Sequence, residues 1–310
     1  MDNPALPAGV QAEGLRRTFG EVVAVDSIDL SVPPGQVTAL VGPNGAGKTT
    51  LLLMLATLLV PDRGTVRVAG FDPVNEAVAV RARTGWMPDF FGSYDTLTAT
   101  EVLEFTADAY RLPTNQGAAR ARELLAMIHL EEYSGRPVHV LSRGQKQRLG
   151  LARALVHDPS VLLLDEPASG LDPRSRIELR TLLRELAAEG RSILVSSHIL
   201  AELETTADRV VFIDQGRTIS EQLLSDLGRQ EKRPWMLRGL DPEALRTALN
   251  RHGIEHAAPD NLGVEVLLSG EEAAADLLAT LIGDGVRVVS CAPVGSSLEA
   301  AYLSLTPERR

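Results

Sequence analysis

An α/β fold with an open, parallel-sheet core, followed by a small α+β module, is predicted by three features of this sequence. Apolar, strand-like runs at residues 37–41, 161–164, 192–196 and 210–213 alternate with helical segments, the order that builds a parallel sheet with crossover helices. The first run ends in a glycine-rich loop, residues 42–50, that opens a helix. Beyond a polar, proline-bearing stretch at 230–234 the pattern becomes short strands and helices in the order βαββαβ, which predicts a ferredoxin-like module.

The elements follow in order. Residues 22–30 read as a strand, and 37–41 as a short buried one. The segment from Leu51 reads as a helix that stops near Pro61, where proline cannot continue it. Residues 65–68 and 85–87 read as strands. Residues 97–128 have helical periodicity with a break at Leu112-Pro113, and a further helix runs from Ser142 to about Val156. This helical stretch reads as a subdomain inserted at about 90–156. A helix at 173–188 then lies between the strands at 161–164 and 192–196. In the last part, strands are expected at 235–238, near Ile254, at 264–268 and at 286–290, with helices at 242–251 and 271–282. The domain boundaries drawn are 8–229 and 233–310.

Composition narrows the function classes. The 310 residues are 44% hydrophobic, enough for a large core. With 31 Lys+Arg against 41 Asp+Glu the formal net charge is −10, which argues against a protein that coats nucleic acid. Cys291 is the single cysteine, so no intrachain disulfide forms and a reducing compartment is expected. A small apolar residue in a strand is the simpler reading of it. The first fourteen residues show neither a basic start nor an apolar stretch, so no secretory signal is expected. The longest apolar run, 51–60, is far short of the ~20 residues that span a bilayer. A soluble chain is expected, with any membrane-spanning left to a partner.

The loop Gly42-Pro-Asn-Gly-Ala-Gly-Lys-Thr49 fits GxxxxGK[ST]. Its glycines let backbone N–H groups turn inward onto phosphate oxygens, Lys48 brings charge to the β- and γ-phosphates, and the Thr49 hydroxyl suits a magnesium ion. The helix that follows adds its own free N–H groups. Strand 161–164 delivers Asp165 and Glu166 at its C-terminal end, where open α/β sheets place ligands. Asp165 suits Mg²⁺ and Glu166 suits the attacking water, since phosphoryl transfer needs chiefly positioning and charge stabilisation. Alone, the pair could equally be a solvated strand end.

Residues 140–150, Val-Leu-Ser-Arg-Gly-Gln-Lys-Gln-Arg-Leu-Gly, resemble the signature of ATP-binding cassette (ABC) ATPases. The phosphate loop and acidic pair, Ser142-Arg-Gly-Gln145, Ser169-Gly-Leu-Asp172 and His198 match that family's motifs from about Val10 to Gly228. The resemblance implies a P-loop cassette with a parallel-sheet core, an antiparallel β subdomain and an inserted helical subdomain. It implies an ATPase using ATP and Mg²⁺, with Lys48, Glu166 and His198 catalytic and Thr49, Asp165 and Asp89 at the metal. ATP contacts are implied for Phe19, Gly42, Pro43, Asn44, Gly45, Ala46, Gly47, Lys48, Thr49, Thr50, Ser142, Gly144, Gln145 and Asp172. Phe19 matches the aromatic that stacks on adenine, or is a core phenylalanine. Ser142 is a good N-cap and Gly144 permits close approach, so this helix end is a second anion site. In the family it faces the ATP of another subunit, so a head-to-tail dimer, most simply a homodimer, is implied.

Two departures stand out. Asp89 occupies the place where the family usually has a glutamine, and it is either a metal ligand or a capping or solvated residue. Arg143 stands where many members carry glycine, and is expected to bring positive charge near the partner's phosphates. Phe90-Phe91-Gly-Ser-Tyr94 is either a core plug or a docking patch. The resemblance points to the drug-resistance and antibiotic exporter branch. A subunit held at the cytoplasmic face of the membrane by a separate transmembrane permease is implied. Rival readings are a ribosome- or DNA-acting ATPase, an importer subunit and a nucleotide-binding regulator without turnover; Glu166 argues against the last.

Overall fold

Nine strands, β1 (Val10–Phe19), β2 (Val22–Val32), β3 (Val37–Val41), β4 (Arg63–Val68), β5 (Thr84–Met87), β6 (Val161–Asp165), β7 (Ser192–Ser196), β8 (Arg209–Asp214) and β9 (Arg217–Leu223), form one sheet. Their order is β4-β1-β2-β9-β8-β3-β7-β6-β5 in this computed structural model. The structure describes residues 9–90, 92, 96–227, 232–257 and 263–305. β3, β6 and β7 are buried at every residue, as parallel strands covered on both faces must be. They pair in parallel with one another and with β5 and β8. β1 pairs antiparallel with β2 and β4, giving the antiparallel wing that the resemblance implies.

Seven helices accompany this sheet among the described residues: α1 (Lys48–Leu55), α2 (Ala77–Arg81), α3 (Ala99–Ala109), α4 (Thr114–Met127), α5 (Arg143–Leu155), α6 (Pro173–Ala188) and α7 (Leu200–Thr206). α1 packs into the main core through Leu51, Leu52, Met54 and Leu55, all fully buried. It ends well before Pro61. Ala56 caps it and Thr57 turns left-handed at φ 65°, so Leu58 and Val60 leave the helix and are exposed. α3, α4 and α5 all lie between β5 and β6 in the chain. The break between α3 and α4 falls at Leu112-Pro113, as expected, and Thr98 and Glu101 close a capping box on α3. Of the aromatic segment after Asp89, Phe91 and Tyr94 lie outside the described residues, and Phe90 is exposed.

The chain divides into two compact units, Met1–Gln222 and Leu223–Arg310. The second contains β10 (Arg233–Gly239), α8 (Pro242–Arg251), β11 (Val264–Leu268), α9 (Gly270–Gly283), β12 (Val288–Pro293) and α10 (Ser297–Leu305). Its strands run in the order β11-β10-β12, with β10 antiparallel to both neighbours. The strand expected near Ile254 is reduced to one antiparallel bridge, His256 to Val266. Gly253 turns left-handed and the Ile254 N–H donates to Leu249 O at 3.0 Å. Ile254 therefore finishes the end of α8 instead of starting a strand. The order bridge, β11, β10, β12 is still that of a split βαβ sheet. The last strand begins at Val288, later than expected, because the Val286 N–H closes the end of α9 on Leu281 O. Among the described residues no helix is long and apolar enough to cross a membrane.

Candidate functional site

The sheet brings the carboxyl ends of β3 and β6 side by side around β7, and a pocket of about 580 Å³ opens there. From the glycine-rich loop, Asn44, Gly45, Gly47, Lys48, Thr49 and Thr50 line it. Gly47 caps α1 at φ 102°, and a Cβ there would lie 2.6 Å from Ala24 O, so glycine is required. Lys48 is the first residue of the helix, and its Nζ donates to Gly42 O at 2.6 Å and Pro43 O at 3.1 Å. Burial lowers the pKa of its ammonium, opposed by the charges of Glu166 and Asp165. Gly42 and Pro43 thus sit behind the pocket as acceptors. Ala46 is buried, its N–H bonded to Pro43 O and its carbonyl to the Gly216 N–H.

Asp165 ends β6, Glu166 follows it directly, and both face the same pocket. Parallel pairing sets Asp165 beside Ser196 of β7. The Asp165 carboxylate accepts from Thr49 Oγ1 at 2.9 Å through one oxygen and from Ser196 Oγ at 2.5 Å through the other. Glu166 is held left-handed at φ 50°, a conformation non-glycine residues adopt at some cost and one that clusters at active sites. Four bonds hold it there: its N–H donates to Ser196 O and Ser196 Oγ, and its carbonyl accepts from Gln147 Nε2 at 2.9 Å and from the Ser169 N–H at 3.0 Å. Glu166 Oε2 lies 2.7 Å from His198 Nδ1. His198 sits between β7 and α7 and lines the pocket, as does the exposed Asp89 after β5.

The remaining predicted residues lie outside this pocket's lining. Ser142 caps α5, accepting from the Gln145 N–H at 3.2 Å, while Gln145 Oε1 accepts from the Ser142 N–H at 2.8 Å. Gly144 lies in the first turn of that helix. Asp172 caps α6 and accepts from the Ser175 hydroxyl and from the N–H groups of Ser175 and Arg174, bonds that hold its pKa down. Phe19 ends β1 and pairs across a two-residue turn with Val22. Val22, Val23 and Ala24 line the pocket; Phe19 does not, and the Arg17 guanidinium lies 5.0 Å from its ring centroid. The Arg143 guanidinium donates to Ser169 Oγ of the same chain at 2.7 Å, a bond that nothing in the sequence predicts. Sequence reasoning missed Ser196, Gln147 and the Val22–Val23 pair. The one available signal was two exposed valines opening a strand.

A strand, a glycine-rich loop opening a helix, and an acidic pair at the end of β6 are arranged as a phosphate site requires, and comparison with known proteins gives the family. The family model described as ABC transporter matches residues 25–169. The linearmycin resistance ATP-binding protein LnrL of Bacillus subtilis (strain 168) is 30% identical over 304 residues, covering 96% of this chain and 98% of the relative. The chain belongs to the ABC transporter family. It is an ATP-binding, ATP-hydrolysing cassette of that family. The daunorubicin resistance ATP-binding protein DrrA3 of Streptomyces coeruleorubidus is 39% identical, covering 70% of this chain and 69% of the relative. A solved ABC cassette, a dimer in a post-hydrolysis state bound to ADP and Pi, superposes with a TM-score of 0.64 at 27% identity, covering 69% of this chain and 98% of its own.

Proposed function

We propose that this cassette energises export of a drug-like or antibiotic-like molecule by a separate transmembrane permease, and that it does so as a head-to-tail dimer with two ATP molecules between the subunits. The observation that carries the reading is the convergence of Lys48, Thr49, Asp165, Glu166 and His198 on one pocket at the strand ends. The relatives named for linearmycin and daunorubicin resistance support the export direction. Association with the membrane is through the permease.

Each residue has a part. Loop N–H groups and Lys48 hold the β- and γ-phosphates. Phe19, with Arg17 on one face, leaves its other face to the adenine. The Thr49 hydroxyl and Asp165, with Asp89 nearby, are oxygen donors that fit a hard cation such as Mg²⁺. Among the described residues no group of three or more His, Cys, Asp or Glu side chains could hold a metal alone, which fits an ion that takes the rest of its ligands from phosphates and water. When bound, the ion neutralises charge on the phosphates. Glu166 accepts a hydrogen bond from the attacking water, and His198, hydrogen-bonded to Glu166, reports on the γ-phosphate. Ser142, Gly144 and Gln145 complete the partner's site from the first turn of α5, and Asp172 holds the loop that reaches the other subunit.

Glu166→Gln is expected to abolish steady-state hydrolysis, a fall of at least about 100-fold in kcat, while ATP still binds. Size-exclusion chromatography of this variant with ATP should show a dimer. Undiminished turnover removes Glu166 from the chemistry. A chain that stays monomeric at every ATP concentration contradicts the sandwich.

A further inference from the structure

Two side chains of α5 tie the half-site that would face the partner's ATP to the pocket that holds this chain's own ATP: Gln147, which bonds Glu166 O from the second turn, and Arg143, which starts from the first turn beside the Ser142 cap. Arg143 is the first residue of α5, directly after the Ser142 cap. Its guanidinium crosses to the loop after Glu166 and donates to Ser169 Oγ at 2.7 Å. The loop is shaped to receive it. Gly170 is left-handed at φ 75°, and a Cβ there would meet Arg143 Cδ at 2.7 Å and Nε at 2.8 Å, so the arginine side chain lies flat across the glycine. A second contact runs the same way: a Cβ on Gly144 would sit 3.4 Å from Gly170 O. The loop's other end is fixed at the chemistry. The Ser169 N–H donates to Glu166 O at 3.0 Å, and Ser169 itself lines the pocket with Glu166 and His198.

We infer that Arg143 is a positioning residue that couples the two ATP sites: occupation of the α5 first turn by one ATP sets Ser169, and through it Glu166 and His198, for hydrolysis of the other. The inference rests on the composite-site reading above. A guanidinium gives a directed, charge-assisted bond that a glycine at this position lacks, so this chain has a rigid strut between the two half-sites. Movement of α5 toward a phosphate pulls on Ser169, and the short backbone path from Ser169 to Glu166 passes the movement on. By linkage, such a strut makes the two sites cooperative in ATP.

The test is a double-mutant cycle in the full-length chain: Arg143→Gly, Ser169→Ala and the pair, with Arg143→Lys as the conservative variant. ATPase rate against ATP concentration and thermal melting are measured for each. Each single substitution is expected to lower kcat by about 5- to 10-fold with KM changed far less, and to bring the Hill coefficient to about 1. The pair should be no worse than either single variant, because both remove one bond. Arg143→Lys should restore part of the cooperativity. Losses that multiply, an unchanged Hill coefficient, or activity that falls only as melting falls would each overturn the coupling. The composite-site reading is checked separately by ATP-driven dimerisation of Glu166→Gln. If that dimer forms while the cycle shows no coupling, the strut alone is wrong; if no dimer forms, both fall.

Discussion

Asp165 shows how one residue in this cassette depends on others far away in sequence. Its two oxygens are bonded by Thr49 from the phosphate loop and Ser196 from β7, so three chain segments fix one carboxylate. Ser196 is fully buried and also accepts from the Glu166 N–H at 3.1 Å. Ser196→Ala therefore leaves Asp165 one hydrogen bond short and removes one of the bonds on the strained Glu166 backbone, which keeps those to the residue 196 carbonyl, to Gln147 and to the Ser169 N–H. Unfolding free energy should fall by about 1–3 kcal/mol, and kcat should fall by about tenfold, roughly 1.4 kcal/mol of transition-state stabilisation, with ATP affinity changing less. Denaturant titration and steady-state kinetics on the same preparation check both; a variant with unaltered kcat would leave Ser196 only a structural part. That Lys48, Thr49, Asp165 and Glu166 share one pocket could be read from sequence because each sits inside a contiguous motif. The place of Ser196 could not be, because it comes from the parallel register that sets it opposite Asp165, and register between strands thirty residues apart leaves no local mark. Arg143 was read for its charge alone, and the side-chain direction that carries it to Ser169 has no sequence signal.

At the scale of elements, helices and buried strands were legible where periodicity and caps agree. The break at Leu112-Pro113, the Ser142 cap of α5 and the Asp172-Pro173 start of α6 all stand where the residues place them. Ends set by backbone turns were not. Thr57 turning left-handed and the Ile254 and Val286 N–H groups closing preceding helices override apolar patterns that look like helix or strand. The join of α3, β5 and α5 makes a further prediction. His157, just after α5, stacks on Tyr110 at 3.7 Å and lies 3.2 Å from Thr84 O through Nε2, which therefore carries the proton. Among the described residues, Nδ1 is buried without a hydrogen-bond partner. Burial pushes its pKa down from 6.5 to about 4, with the Asp158 charge working against the shift and that of Arg120 with it. The folded protein thus keeps His157 neutral where the unfolded chain binds a proton. Its stabilising contribution is complete above pH 6.5 and is lost as pH falls toward 4, about 3 kcal/mol across that window. His157→Phe keeps the stacking and removes the titration. Urea unfolding at pH 7 and pH 4.5 should show a smaller acid destabilisation in the variant than in the parent chain, and equal losses would mean that carboxylates alone set the acid sensitivity.

On the scale of the whole molecule, the two units each hold a core of their own. The first is built around β1, β2, α1 and the central strands; the second gathers Trp235, Leu237, Leu249, Val266 and Leu281 between a small sheet and its helices. Three strands of the second unit were legible from its alternation of strands and helices, while the fourth, near Ile254, is only a single bridge. The unit contains none of the residues assigned to ATP, so nucleotide binding and the stability of this unit should respond to different substitutions. Leu237 is the sharpest probe. It lies on the central strand β10, is fully buried, and is paired with Val264 on one side and Cys291 on the other. Leu237→Ala removes three carbons from a site that the sheet holds open, at a cost of about 2–5 kcal/mol. If the units unfold separately, as cores of this kind allow, calorimetry should show one transition moved down by several degrees and another unmoved, with ATP affinity and kcat of the cassette intact. A single transition that falls as a whole, together with weaker ATP binding, would mean that the second unit is a structural part of the catalytic one. Its separate fold would then serve to hold the phosphate site in shape, and truncations that remove it could not be used to study the cassette alone.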